Sequence, residues 1–503
     1  MFLLSITKSM CLHGLDGILI DVEVDISNGI PSWEIVGLPD ASIKESKERV
    51  KTAIRNCGIE VASRKYVVNL SPANVRKDGA ILDLAIAVGI LKSMGIVDNN
   101  VIFEDTIFIG ELSLNGDINR VNGILSICID AISKNVKKIV LPKENIKEAK
   151  LVKGIEVVGV SSLNEVISYL NGNLKIENED ISTEEDVLKN SVLDFSDVKG
   201  QKYAKRALEI SAAGNHNCIL IGSPGSGKTM MAKRLPTILP KLSFEEALEI
   251  TKIYSVAGKL KKDSIITERP FRSPHYNITD KTLIGGGKIP VPGEVSLAHL
   301  GVLFLDELLE FKQSTLENLR IPMEDREINI SRVGINVKYP CNFMVVASAN
   351  PCPCGYYGSK TKKCICTENQ RRKYISKLSG PLIDRFDMYL HIYPVDYKCV
   401  DNIEEKSEDI RIRVNSARKI QYDRYKSEKI YSNSELTPKL MEEYCKLDLE
   451  SQKLIEKSFK TLNLSMRGYT RVLKVSRTIA DLDNKENIEY KHILEALQYR
   501  KIE

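Results

Sequence analysis

Long apolar runs are missing from this 503-residue chain. No stretch reaches the roughly eighteen consecutive apolar residues of a membrane-spanning helix, so no membrane partner is expected. The opening residues, MFLLSITKSMCLHGLDG, lack a basic segment, a long apolar core and a small-residue cleavage site. They read as a first strand rather than a secretory leader. Internal repeats and low-complexity tracts are absent. A strong charge of either sign is lacking too, because the net value is only +5. That balance permits a nucleic-acid partner without demanding one. A paired set of cysteines is also missing: the count of 11 is odd and most are scattered. This usage fits a reducing cytoplasm, where a clustered set would serve metal or redox chemistry.

What is there is ordinary soluble composition, 43% hydrophobic and 28% charged, arranged in regions that differ in pattern. Residues 1–170 mix strand-like runs (GILIDVEVDI, KYVVNLSP) with helix-like ones (SIKESKERVKTAIRNCG, ILDLAIAVGILKSMG). Residues 171–193 are polar, largely acidic and poor in aromatics, as in a solvated linker. Residues 194–394 carry short apolar runs between helical patterns, CILIG, VLFLD and FMVVASAN. Such runs suggest a parallel sheet covered on both faces. Residues 395–503 are helical and charged, with Ile403, Ile410, Val414, Ala417 and Ile420 at helical spacing and a last helix near EYKHILEALQYRK.

A complete phosphate-binding loop, Gly222-Ser223-Pro224-Gly225-Ser226-Gly227-Lys228-Thr229, follows one apolar run and precedes a helix-like stretch, MMAKRLPTIL. Glycines let successive backbone N–H groups wrap a phosphate, and the helix start adds partial positive charge. Lys228 would reach the β- and γ-phosphates of ATP, and Thr229 would ligate Mg²⁺. In GVLFLDELLEF, Asp306 would end a strand facing Mg²⁺ through water, and Glu307 would polarise the attacking water. Asn350 ends a third strand, where its amide can orient that water. Arg385, in LSGPLIDRFD, has two readings: an arginine finger for a neighbouring subunit's site, or a salt bridge with Asp384 or Asp387.

Several blocks go beyond a phosphate loop. FSDVKGQKYAKRALEISAAGNHNCILIGSPGSGKT, FRSPHYNITDKTLIGGG, PGEVSLAHLGVLFLDELLEF, ANPCPCG, LSGPLIDRFD and RVLKVSRTIADL stand in this order. The chain resembles the ComM/YifB family of magnesium-chelatase-like AAA+ ATPases from end to end. The resemblance implies a homo-hexameric ring with ATP and Mg²⁺ between subunits and Arg385 as a trans finger. It also implies Arg467 as the second sensor arginine, with Arg471 the weaker candidate. Lys199-Gly200-Gln201 would lie by the adenine. Residues 259–300 look like the helix-2 insert of this clade, and EDREINISRVGINVKYP like its pre-sensor hairpin with a turn at Arg332-Val333-Gly334. Both would face a central pore.

The stretch IGELSLNGDINRVNGILSICIDAISKNVKKIVLPKEN is similar to the closing half of a Lon-type protease domain. Lon proteases use a Ser–Lys dyad. Here the serine segment reads RKDGAILDL, without serine, and the segment after Asn122-Gly123 reads ILSIC, without lysine. The resemblance thus implies the fold without peptidase chemistry. The expected class is α/β: a Lon/S5-like α+β N-terminal domain, an AAA+ parallel-sheet core with helix-2 insert and pre-sensor hairpin, and a C-terminal helical lid.

Cys352, Cys354, Cys364 and Cys366 form two Cys-x-Cys pairs around GYYGSKTKK. They can supply the sulfur ligands of a closed structural Zn²⁺ site. A thiol redox switch and simple packing are the rival readings. The knuckle would present Lys360, Lys362 and Lys363 to DNA phosphates, as Arg332 would from the hairpin. Arg411, Arg413, Arg418 and Lys419 are compatible with the same role, but Glu404, Glu405, Glu408 and Asp409 balance them as a solvated helix face. The resemblance points to a motor for branch migration of single-stranded or branched DNA during natural transformation. The alternatives are a magnesium-chelatase-type subunit, against which the chain lacks an Asp-x-Ser-x-Ser metal motif, and a chaperone-like protein remodeller.

Overall fold

A computed structural model describes residues 4–77, 79–98, 103–176, 193–260, 264–287, 290–332, 335–358, 362–394, 403–428, 430–462 and 464–500. Most of the acidic linker, the turn residues Val333 and Gly334, and Lys360 lie outside the described residues.

Alternating apolar residues in the first region make a sheet with one face buried along its length and the other covered in part, where Met10, Ile107, Ile139 and Leu141 share a second core with Ile124, Ile127 and Cys128. Its seven strands run in the order Ser32–Val36, Lys65–Ser71, Asp16–Ser27, Ser5–His13, Thr106–Phe108, Lys138–Pro142 and Glu156–Val160. Ser5–His13 pairs antiparallel with Asp16–Ser27 and parallel with Thr106–Phe108, so the sheet is mixed. Ile20, Val22, Val24 and Ile26 point to the same side, as a period of two requires, and share a core with Ile43, Val50 and Ile54 of the helix Ala41–Asn56. The helix Asp83–Ser93 packs into that core. Its Asp83 carboxylate, fully buried, is matched by Arg49 at 2.8 Å.

The second region forms a five-stranded sheet in the order Phe271–Arg272, Val302–Leu305, Met344–Ala349, Cys218–Gly222 and Met388–Ile392, with every pairing parallel. The near-continuous apolar runs are explained by burial on both faces. Leu220, Phe304, Val346 and Leu390 belong to one core, shared with the helix Lys202–Gly214 and the C-terminal helices. Ile219, Leu303, Val345 and Tyr389 belong to the other, shared with Leu283, Val295 and Tyr339. Tyr339 lies on an antiparallel ribbon, Glu327–Arg332 with Ile335–Pro340, in which Arg332 opposes Ile335.

The C-terminal helices are Ser407–Tyr425, Pro438–Tyr444, Leu449–Thr461, Met466–Leu482 and Tyr490–Gln498. Ile410, Val414 and Ala417 are buried, but Ile403 is fully exposed. It precedes Lys406, the cap residue of the helix, and so falls outside the helical period. No helix among the described residues is long and apolar enough to cross a membrane.

Contacts at two places join the first region to the second. Ser255, on the helix Phe244–Val256, hydrogen-bonds the buried Glu148, which also accepts from the backbone N–H of Leu125 at 3.0 Å. His13 Nε2 lies 3.1 Å from the carbonyl of Asn336 on the ribbon. The C-terminal helices are tied to the sheet by Asp387. Its carboxylate is 1% exposed, pairs with Arg471 at 2.9 Å and accepts from the backbone N–H of Asn217 at 2.9 Å. Burial, the largest single influence, would raise this carboxyl; Arg471, His216 and the Asn217 N–H together outweigh it and hold Asp387 well below the ordinary carboxylate range. His216 is kept neutral by burial, and its Nδ1, at 3.5 Å, is too distant for a strong bond to Asp387.

A carboxyl whose folded pKa is depressed contributes stability at pH values above its unfolded pKa, near 3.9, and loses it as the pH falls toward the folded value. Asp387→Asn should therefore cost roughly 3 kcal/mol at neutral pH, because the half-buried Arg471 loses its partner and the buried side chain loses its charge-assisted bonds. Thermal melting of variant and parent at pH 7 and at about pH 3 checks this: the difference should hold down to about pH 3.9 and shrink below it.

Candidate nucleotide site

The parallel sheet brings several chain segments to one edge. Cys218–Gly222, Val302–Leu305 and Met344–Ala349 all end there, since Leu305 pairs with Ala347 and Ile221 with Ala349. The segments that follow these strands contain Gly222–Thr229, Asp306-Glu307 and Asn350. Gly225 and Gly227 hold φ of +77° and +91°, conformations open to glycine, and turn the loop into the helix Lys228–Arg234.

Side chains converge on that loop. Lys228 Nζ donates to the carbonyls of Gly222 and Ser223 at 2.6 and 3.0 Å and to Asn350 Oδ1 at 3.3 Å. Burial lowers its pKa, with Asp306 and Glu307 opposing the shift. Thr229 Oγ1 donates to Asp306 Oδ2 at 3.0 Å. Ser348 Oγ donates to Asp306 Oδ1 at 2.5 Å and accepts from the backbone N–H of Glu307 at 3.0 Å. Glu307 is exposed, and its φ of +54° marks a strained corner. Ser348 was not among the sequence candidates. A hydroxyl inside the otherwise apolar VVASA is the one signal that marks it.

This cradle fits a nucleotide triphosphate. A desolvated ammonium sits among carbonyl oxygens, and the Ser226 hydroxyl is buried without a partner. Thr229 and Asp306 present a hydroxyl and a carboxylate side by side, the hard oxygen donors Mg²⁺ takes. When bound, Mg²⁺ would supply charge neutralisation at the phosphate oxygens. Gln201 Nε2 donates to the Tyr393 carbonyl at 2.5 Å and lies 3.5 Å from the Ser226 carbonyl, bringing the Gly200-Gln201 turn beside the loop.

Arg385 lies elsewhere. It precedes Met388–Ile392, whose Met388 pairs with Cys218 and Ile392 with Gly222. It therefore sits at the edge of the sheet opposite the phosphate loop. Its guanidinium is 5% exposed and bonded to Glu324 at 2.7 Å and to the carbonyls of Pro381 at 2.6 Å and Arg320 at 3.2 Å. The alternative pairing with Asp384 or Asp387 is not what forms, because Asp387 turns inward to Arg471. Arg467 is exposed at the start of the helix Met466–Leu482. Arg471, one turn on, is committed to Asp387.

The other basic candidates divide. Arg332, Lys362 and Lys363 are exposed, with Lys362 Nζ 5.1 Å from the centre of the Tyr356 ring. Arg413 pairs with Glu209 at 2.5 Å and with Glu405. Arg411 faces Glu408 at 3.8 Å. Arg418 donates to the Ala212 carbonyl at 3.0 Å, and burial pulls its pKa down to about 10. These helix cations serve internal contacts, as the balancing acids suggested; Lys419 is exposed.

The four clustered cysteines come together. Their sulfurs all lie within 4.8 Å of one another, with Cys352–Cys354, Cys354–Cys364 and Cys352–Cys364 at 3.4, 3.6 and 3.7 Å. The arrangement is compatible with structural zinc. Backbone N–H groups of Tyr356 and Ile365 hold the Cys354 thiol down at about 6.

Comparison with known proteins accords with this architecture. The family description "Magnesium chelatase, subunit ChlI" matches residues 194–400, "Subunit ChlI of Mg-chelatase" residues 22–145, and "Magnesium chelatase, subunit ChlI C-terminal" residues 404–500. Fold and site are those of a magnesium-chelatase-like protein, a class that points to ATP hydrolysis. Competence protein ComM of Haemophilus influenzae is 38% identical over 99% of this chain and 97% of its own length. Uncharacterized protein YifB of Escherichia coli is 40% identical over 99% and 97%. The chain belongs to the ComM/YifB family of magnesium-chelatase-like AAA+ ATPases. A partial likeness, 27% identity over 33% of this chain, links it to Lon protease 2 of Bacillus subtilis.

Lys228→Ala should abolish measurable binding of a fluorescent ATP analogue. Glu307→Gln should keep that binding and lose turnover by about 10²–10⁴-fold, the usual worth of a positioned base. Equilibrium titration and a phosphate-release assay separate the two outcomes.

Proposed function

We propose that this protein is an ATP-driven DNA motor, assembled as a homo-hexameric ring, that extends heteroduplex by branch migration when incoming single-stranded DNA recombines. The observation that carries the reading is the separation of its parts. Lys228, Thr229, Asp306 and Asn350 sit at one edge of the sheet and Arg385 at the other, about 16 Å away along strands of this length. A finger placed there cannot serve its own protomer's phosphates. It can serve a neighbour's, and closing a ring gives each site one.

Within a site, Lys228 neutralises the β- and γ-phosphates, and Thr229 with Asp306 would hold Mg²⁺. Glu307 takes a proton from the attacking water, which Asn350 orients on the γ-phosphate. Arg385 from the adjoining subunit meets the charge that develops in transfer, exchanging its carboxylate partner Glu324 for phosphate oxygens. Arg467, exposed at a helix start, acts as second sensor. The word "competence" in one relative's name and the exposed Arg332 on the ribbon support DNA as the substrate. Phosphate contacts of this kind are sequence-blind and weaken with salt. The magnesium-chelatase and protein-remodelling readings remain outcomes of the test.

ATP turnover should rise when forked or single-stranded DNA is added, and a labelled branch should be displaced. Arg385→Ala should lower turnover by about 10³-fold or more while hexamers persist in sizing experiments. Stimulation by unfolded protein but not by DNA would overturn the DNA reading.

A further inference from the structure

The loop from Cys352 to Cys366 has no helix or strand of its own among the described residues. Ile365 is 86% exposed, so little core holds the loop. Four thiols nevertheless converge within it, none joined in a disulfide. A tetrahedral Zn²⁺ site with bonds of about 2.3 Å places its sulfurs about 3.8 Å apart. The distances of 3.4, 3.6 and 3.7 Å fall close to that edge length. Backbone N–H groups point at two of the sulfurs, Cys354 to Cys366 and Cys366 to Cys364, both at 3.4 Å. Such donors favour thiolates and orient them as outer-sphere partners of a metal.

The loop touches the nucleotide site through several segments. Cys352 follows Asn350 by two residues, and Asn350 meets Lys228. Gly355, held at φ +82° and closed onto the Cys352 carbonyl at 2.9 Å, approaches Pro224 so nearly that a Cβ there would lie 2.7 Å from its ring. After Cys366 the chain enters the helix Glu368–Ile375, capped by Thr367. From that helix Tyr374 donates to Glu310 at 3.2 Å, and just beyond it Lys377 donates to the Leu309 carbonyl at 2.9 Å, behind the Asp306-Glu307 corner.

We propose that Cys352, Cys354, Cys364 and Cys366 bind Zn²⁺ tetrahedrally, and that the zinc-held loop is a wall of the ATP site that positions Pro224 and Asn350. The second half rests on the nucleotide reading given above. Bound zinc replaces the missing core, because a metal cross-link supplies folding energy a short loop cannot find by burial. Gly355 is required for the close approach, and its replacement by any residue with a Cβ would press on the phosphate loop.

The test is made on the full chain purified without chelators. Elemental analysis should find zinc equimolar with protein, and near zero in Cys364→Ser/Cys366→Ser. Affinity for a fluorescent ATP analogue should fall about tenfold or more in that variant. Gly355→Ala should show the same loss of affinity with zinc retained, which a merely structural metal would not predict. Should the cysteine variant not fold, zinc can be stripped from the parent protein with a mercurial, its release followed with a chromogenic chelator, and affinity measured before and after. Iron in place of zinc, a disulfide among the four thiols, or zinc far below equimolar would overturn the metal assignment. Unchanged affinity after zinc release would overturn the coupling. A parent protein that holds zinc but binds no ATP would refute the nucleotide reading and the coupling together, leaving the metal site standing.

Discussion

The carboxylate of Asp306 is the constraint on which the site depends. It is shared by two hydroxyls, Thr229 from the helix after the phosphate loop and Ser348 from the neighbouring strand. Ser348 also accepts from the backbone of Glu307. One acid thereby sets the spacing of three segments that are distant in sequence. Parallel pairing makes this economical, since all the strands end on the same side and their loops need only short excursions to meet.

A second acid works at the opposite edge. Asp387 binds the Asn217 backbone and Arg471, so the strand that follows Arg385 is joined to the helix that begins beside Arg467. The elements that carry Arg385 and Arg467 are thus tied together through Asp387, without any contact between the two arginines themselves.

Much of the sheet could be read in the chain. CILIG, VLFL and MVVASA are too apolar to face water on either side, and they became central strands. The glycine-rich loop declared itself because positive φ at Gly225 and Gly227 is a demand few other residues meet. What stayed hidden depends on contacts between remote residues. Nothing in LSGPLIDRFD shows that Arg385 chooses Glu324, because that acid is brought in by the helix Arg320–Asp325. Ile403 kept the helical period yet lies before the helix, since periodicity carries no mark of where a cap falls. The basic residues of Ser407–Tyr425 were balanced by acids in the sequence, but which partners Arg413 and Arg418 take, Glu209, Glu405 and the Ala212 carbonyl, was not legible. Ser348 carried a weak signal, a polar atom in an apolar strand, that gains meaning once Asp306 is seen beside it.

The seam between the first region and the ATPase core has a mechanical consequence. Segment Asn122–Leu125 is pressed against the helix Phe244–Val256 and the turn after it: a Cβ on Gly258 would lie 2.8 Å from Asn122, and Ser255 grips Glu148. The corner at His13 leans on the ribbon through Asn336. These contacts join the first region to the ATPase core at two separate places, the helix Phe244–Val256 and the ribbon. A displacement of the ribbon would therefore be transmitted to the N-terminal sheet through the His13–Asn336 contact.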